Sequence, residues 1–314
     1  MDRNALKNLT HNAKDFLHVT KNDYKQWVFR YTFLELEKDL GERGDVTSES
    51  VIKGDVVKEG VVLAEEDGVL AGIEEIKYFL VDSDPRFKPR VGELSVEFFK
   101  KDGEKIKKGD KVLSIKGNVK DILAVERVVL NLLMRMSGVA SYVAKLVKIA
   151  PEILITPTRK TLWGLLDKKA CSVGGGGTHR LNLSDAILVK DNHLKVLGGS
   201  ITTAVKNIAE KKSEARFVEI EVENVEDAIL AAESLATFIK IPSCVLFDNM
   251  KPADIAEALK TIKDKGYYDK ILFEASGGIT EDNLAEYAKT GVDVVSMGCL
   301  TMRSGVLNFT LDLK

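Results

Sequence analysis

The chain has only three cysteines in 314 residues, Cys171, Cys244 and Cys299. They are far apart, odd in number and in no metal-ligand spacing, which excludes a disulfide framework and suits a reducing compartment. They read as packing residues rather than nucleophiles. No apolar run approaches the roughly 18 residues of a membrane span, and Met1–Lys25, charged throughout, lacks the apolar core of a signal peptide. An excess of one charge is missing too. Lys and Arg number 46 against 48 Asp and Glu, a formal net charge of -2. No global field attracts nucleic acid, so any anion site must be local. These absences predict a cytoplasmic protein whose partners are small molecules rather than nucleic acid or membrane. A hydrophobic content of 45% is ample for one large or two medium cores.

Histidine is equally scarce, with four in the chain, yet two of them, His179 and His193, fall in one short stretch that begins at Arg159. That stretch reads TRKT, then GGGGTHR, then ILVKDNH. Arg159, Lys160, Arg180 and Lys190 bring cationic forks and point charges suited to carboxylate and phosphate oxygens. The glycine run offers a backbone loop with little steric hindrance. Taken singly, each cation reads as solvated surface charge; clustered beside the glycines, they read as an anion-binding active site.

Two rhythms divide the chain. From Val56 to Leu123, short β-rich pieces alternate with glycine turns, the pattern of an antiparallel, hairpin-rich module. Helical spacing precedes it over Tyr24–Leu40, and a long helix is predicted from Asp121 to Ala150. From Glu152 onward the pattern is strand, loop, helix, with candidate strands ILIT, AILVK, FVEIEVE, CVLFDN, KILFEAS and DVVSMG. Such alternation implies a parallel sheet, open or closed into a barrel, and about six strong strands favour an incomplete one. Nearly every strand ends in a polar or charged group. In a (β/α) barrel those ends converge on one face, where active sites are built.

Glu219 and Glu221 are two residues apart, so on a strand they share one face, and either could reach a site. Asp248 ends the next strand. Carboxylates at adjacent strand ends can hold a hydrated Mg²⁺, and Glu221 with Asp248 is the candidate metal pair; solvated acids on an edge strand are the plainer alternative. Ser276, Gly277 and Gly278, and then Gly298, follow the last two apolar strands, where glycine lets backbone N–H groups approach a phosphate. The hairpin DGEKIKKGDKV resembles the turns of lipoyl and biotinyl carrier modules, but Lys105, Lys107 and Lys108 lack the flanking residues of a modified lysine.

The order of motifs resembles the quinolinate phosphoribosyltransferase family. GDVTSE, ERVVLNLLMRMSGVAS, TRKT, GGGGTHR, LVKDNH, EIEVEN, LFDN and EASGGI, with the later MGCLT loop, cover most of the chain. The resemblance implies an α/β fold: an N-terminal sandwich-like α/β domain over 1–126, an incomplete (β/α) barrel over 127–301 with its active site at the C-terminal strand ends, and a tail, 302–314, packed on the first domain. It implies transfer of phosphoribose from phosphoribosyl pyrophosphate (PRPP) to quinolinate with decarboxylation, with Mg²⁺ as cofactor. Arg127, Arg159, His179 and Arg180 become clamps for the acid, Arg127 from the partner subunit of a homodimer or dimer-based oligomer. Lys160 and Lys190 bridge substrate and pyrophosphate charge, Glu221 and Asp248 hold ribose hydroxyls or the metal shell, and the SGG and MGC loops hold the 5′-phosphate. Three departures flank the acid pocket: Pro157 stands where the family has Asp, Thr178 where it has Asn, and the segment 161–173 is short. They bear on the acid rather than on PRPP, and keep open a non-decarboxylating transferase acting on nicotinate or a related aromatic acid. The paralogue group associated with molybdate transport shares fold and motifs, but the intact KDNH argues against it.

Overall fold

A computed structural model describes residues 2–82, 85–87, 90–211 and 214–314. The elements begin with α1 (Arg3–His11), α2 (Asn22–Leu40), α3 (Val46–Val51), β1 (Val57–Ala64), β2 (Gly68–Val69), α4 (Ile73–Leu80), β3 (Ser95–Phe98), β4 (Lys105–Ile106) and β5 (Lys111–Asn118). The 31-residue α5 (Val119–Ile149) leads to β6 (Leu154–Thr156), α6 (Leu165–Val173), β7 (Ile187–Val189), α7 (Asp191–Val196), α8 (Ile201–Glu210), β8 (Val218–Val222) and α9 (Val225–Phe238). Then follow β9 (Ser243–Asp248), α10 (Pro252–Asp264), β10 (Leu272–Ser276), α11 (Leu284–Ala288), β11 (Val294–Ser296), α12 (Cys299–Met302) and β12 (Phe309–Leu313). No described helix is long and apolar enough to cross a membrane.

The chain divides into two compact units, one of Lys14–Ala144, Leu165–Gly174 and Ser304–Lys314, the other of Met1–Ala13, Lys145–Gly164 and Gly175–Arg303. The first holds an antiparallel sheet in the order β12-β1-β5-β3 and a small two-stranded antiparallel sheet of β2 and β4. A boundary at 126/127 falls inside α5, and the structure assigns residues 127–144 to this antiparallel unit. The reason is packing. Val125, Val129, Leu132, Leu133 and Met136 are buried, and the Ser137 hydroxyl accepts from the Ala71 N–H (3.0 Å) while that of Ser141 accepts from Val69 (2.8 Å). Gly68 permits this approach, because a Cβ there would lie 2.6 Å from the Ser141 Oγ.

The second unit is built on a six-stranded parallel sheet, order β6-β11-β10-β9-β8-β7, the incomplete barrel that the six apolar runs predict. The central strands β8, β9 and β10 are buried along nearly their whole length, as parallel strands covered on both faces must be. Intervening helices start at recognisable caps: the Asn224 side chain accepts from the Asp227 N–H at 2.8 Å, and Pro252 opens α10. Residues 1–13 also belong here. The Arg3 guanidinium forks onto Asp293 (2.8 and 2.5 Å), and Arg216 donates to the Leu9 carbonyl (2.7 Å), so α1 is tied to the parallel unit at both ends.

Candidate active site

The C-terminal ends of all six parallel strands line one cavity of about 680 Å³. Following the sheet order, the lining begins with Arg159 and Lys160 after β6, continues with Gly298 after β11, Ser276, Gly277 and Gly278 at β10, Asp248 on β9 and Glu221 on β8, and ends with Lys190 after β7. His179 and Arg180 complete the wall. Of the residues predicted to form the site, all but Arg127 are brought together here. Arg127 lies in the antiparallel unit on α5, with its guanidinium exposed and 3.3 Å from Glu126.

Charge is segregated around this mouth. Lys190 is ion-paired with Glu221. Burial pushes the Glu221 carboxyl up from its ordinary pKa; Lys190 opposes that, while Asp248 and Glu219 add to it by repulsion. Arg180 is nearly buried, donates to the Ala186 carbonyl (3.1 Å), and is pushed down first by burial and then by the neighbouring Arg159 charge. The acids Glu221 and Asp248 therefore repel one another even with Lys190 beside Glu221, and Arg159 and Arg180 repel one another on their side. Ligands carrying anionic groups relieve the second repulsion, and a hard, oxygen-binding cation relieves the first.

The loops are shaped by backbone demands. His179 (φ 53°) and Asn249 (φ 54°) are the described non-glycine residues with positive φ, and both line the cavity, where strain of this kind commonly marks function. Gly277 (φ +88°) cannot be replaced without collision, since a Cβ would meet the Asn249 Oδ1 at 2.3 Å. The Asn249 N–H donates to the Ser276 carbonyl (2.9 Å) and the Ser296 hydroxyl to that of Ser276 (2.9 Å), which fixes the SGG turn. The Thr301 hydroxyl donates to the Lys160 carbonyl at 2.5 Å and seats the lysine's turn.

Several sequence expectations change. The glycine run does not line the cavity. Gly174 is small because Ala140 approaches it, and Gly177 because the His11 carbonyl lies 2.5 Å from where its Cβ would be. His193 is a helix-capping residue: its Nδ1 accepts from the Lys190 N–H at 2.9 Å. Glu221, not Glu219, reaches the cavity; Glu219 faces the same way one layer deeper and is fully buried. Thr178 also points away from the ligand space. It is buried, accepts from the Ala13 N–H (2.8 Å) and donates to the His179 carbonyl (2.8 Å), so the Thr-for-Asn departure is a scaffold change. Pro157 is buried and likewise absent from the lining. The short segment after TRKT folds as α6, in the antiparallel unit, where Asp167 receives a two-pronged bond from Arg135. Asn249, a polar strand end in the sequence, joins the wall; sequence reasoning missed Ser296 and Arg303 there, and the buried group His11, His179, Glu219 and Glu274 beneath it, whose ligand atoms all lie within 4.8 Å of one another. A lone histidine on an N-terminal helix carries no motif that could have revealed it.

Comparison with known proteins agrees with this geometry. The family model for the quinolinate phosphoribosyl transferase N-terminal domain matches residues 45–137, and that for the C-terminal domain matches 139–312. A probable nicotinate-nucleotide pyrophosphorylase [carboxylating] of Archaeoglobus fulgidus is 40% identical over 274 residues, covering 85% of this chain and 97% of its own. A quinolinate phosphoribosyltransferase [decarboxylating] of Nicotiana glauca is 33% identical over 294 residues, 89% of this chain and 80% of its own. Among solved structures, the nicotinate-nucleotide pyrophosphorylase of Ehrlichia chaffeensis superposes with a TM-score of 0.77 at 30% identity, covering 91% of this chain and 98% of that one. That of Francisella tularensis gives 0.78 at 28%, covering 92% and 96%.

Proposed function

This chain belongs to the quinolinate phosphoribosyltransferase family, and from that premise we propose that its parallel unit transfers phosphoribose from PRPP to quinolinate with decarboxylation. The products are nicotinate mononucleotide, pyrophosphate and CO₂. The ring nitrogen of quinolinate attacks C1 of PRPP as the C1–O bond breaks and its electron pair leaves with pyrophosphate. The bond from C2 to its carboxylate then breaks, the electron pair stays on C2 beside the cationic ring nitrogen, and C2 takes a proton from solvent. No strong general base is needed; positioning and electrostatics carry the reaction.

One observation supports this reading above the rest: a single cavity sets four cationic side chains, Arg159, Lys160, Arg180 and Lys190, against two acids and two glycine turns. Arg159, His179 and Arg180 clamp the dicarboxylate. Lys160 and Lys190 neutralise the departing pyrophosphate, and Glu221 and Asp248 orient the ribose hydroxyls. Backbone N–H groups at Ser276, Gly277, Gly278 and Gly298 receive the 5′-phosphate. The all-oxygen pair Glu221 and Asp248, whose mutual repulsion the structure records, fits Mg²⁺ bound directly or through water. When bound, the ion supplies charge stabilisation to the leaving group. Arg127, exposed on α5, serves the site of a second copy in a homodimer or dimer-based oligomer.

Pure protein supplied with quinolinate, PRPP and Mg²⁺ is expected to form nicotinate mononucleotide. Replacing quinolinate by nicotinate tests the non-decarboxylating alternative; product from nicotinate alone would displace the present reading.

A further inference from the structure

We propose that His11 is a positioning residue for the acid-binding wall: as an imidazolium delivered by α1, it offsets the buried carboxylates of Glu219 and Glu274 and so preserves the wall's positive charge and the seat of His179. This deepens the proposed function and rests on it, but its premises are local. Residues 1–44 lie outside both matched family models, so His11 comes from a segment those models do not describe, while its partners lie within the C-terminal domain match.

The proton positions follow from hydrogen bonding. Thr10 has one hydroxyl proton, directed at the carbonyls of Leu6 (2.9 Å) and Lys7 (3.3 Å), so its oxygen accepts from the His11 Nδ1–H at 2.7 Å. The other ring nitrogen, Nε2, lies 2.8 Å from Glu274 Oε2 and 3.7 Å from Glu219 Oε1. Two facing lone pairs would repel at that range, so Nε2 is protonated as well. Burial opposes a charge on His11, but the two carboxylates outweigh it and raise its pKa to about 9. His179 is different. Its Nδ1 accepts from the Arg180 N–H at 2.6 Å, and its Nε2 lies 3.3 Å from Glu274 and 3.4 Å from Glu219.

The His11 imidazolium offsets the buried carboxylates of Glu219 and Glu274 under a wall that must bind anions. The buried Glu219 and Glu274 oxygens and His11 Nε2 lie close but off the hydrogen-bond axes, so charge rather than directed bonding holds them. Glu219 is also near enough to Arg180 to act on its charge. The main chain adds a second link: the His11 carbonyl accepts from the N–H groups of Thr178 (2.8 Å) and His179 (3.0 Å), fixing the turn in which His179 has positive φ.

His11→Gln is expected to raise KM for quinolinate about tenfold, equivalent to a tenfold weaker equilibrium, while kcat and KM for PRPP change less than about threefold. Adding Glu219→Gln restores the charge balance and should bring KM back toward wild type; a further loss in the double variant would overturn the proposal. The titratable groups facing His11 are Glu219 on β8, Glu274 on β10 and His179, while the Cys244 thiol on β9 is pushed up by burial and then by the same two carboxylates. Affinity for the acid should therefore fall as pH rises through about 9 in the wild type and stay level there in His11→Gln. Histidine ¹⁵N spectra of the wild type test the premise without any variant or substrate: His11 doubly protonated at pH 7.5 supports it, and a neutral His11 overturns it. A stoichiometric divalent ion in purified protein, removable by chelator with loss of stability, would overturn it too. If the wild type uses neither quinolinate nor nicotinate, the proposed function has failed, and the spectra still decide the state of His11.

Discussion

Each unit buries a cluster of opposite charges, and the two clusters are built differently. In the antiparallel unit, Arg135 meets Asp167 through two aligned hydrogen bonds of 2.9 and 3.0 Å, the fork geometry that compensates desolvation. In the parallel unit, His11, Glu219, Glu274 and His179 are just as buried, but their contacts run off-axis. The first arrangement fastens α6 to α5. The second places charged groups directly below a ligand cavity, and that difference separates an ion pair that stabilises from one that tunes binding.

Substitutions should separate the two clusters sharply. Asp167→Ala leaves a buried guanidinium without its carboxylate and is expected to lower stability by about 3–5 kcal/mol, read from denaturant midpoints, with KM of the folded fraction unchanged. Arg180→Ala should do the reverse, lowering turnover by about 10²–10³ with little change in melting temperature; near wild-type turnover would remove Arg180 from the clamp. Arg127→Ala should lower turnover by about 10–100-fold if it serves a second copy's site, and mixing it with an inactive Arg180→Ala partner should recover activity in hybrid dimers. His11 gives a smaller, pH-dependent signature. Its pKa is raised in the folded state to about 9, so its contribution to stability is complete below the unfolded value of about 6.5 and is lost as pH rises through 9. The stability gap between wild type and His11→Gln should thus narrow from pH 7 to pH 10. Smallest of all, Lys195→Ala removes an exposed pair with Asp191 and should leave both melting temperature and kinetics unchanged.

Much of the parallel unit was legible because its signals are local. Six apolar runs became six strands, and the polar residue ending each run became cavity lining. Parity placed Glu219 and Glu221 on one face, but depth decided which reached the ligand, and depth depends on where neighbouring strands end. Glu274 reads as one of the polar strand ends, but it is fully buried and does not line the cavity. His11 was illegible for a plainer reason: its partners Glu219 and Glu274 come from β8 and β10, more than two hundred residues later in the chain. The glycine run misled because small residues serve close packing as readily as anion binding, and only the approach of Ala140 and the His11 carbonyl tells the two apart. The boundary inside α5 was hidden likewise, since a single unbroken helix offers no compositional break.

The most direct test of the central claim uses quinolinate carrying carbon-13 in its C2 carboxylate. With PRPP, Mg²⁺ and this protein, one labelled CO₂ is expected for each nicotinate mononucleotide formed. A full-length, folded preparation that releases no labelled CO₂ and forms no nucleotide from quinolinate would contradict it.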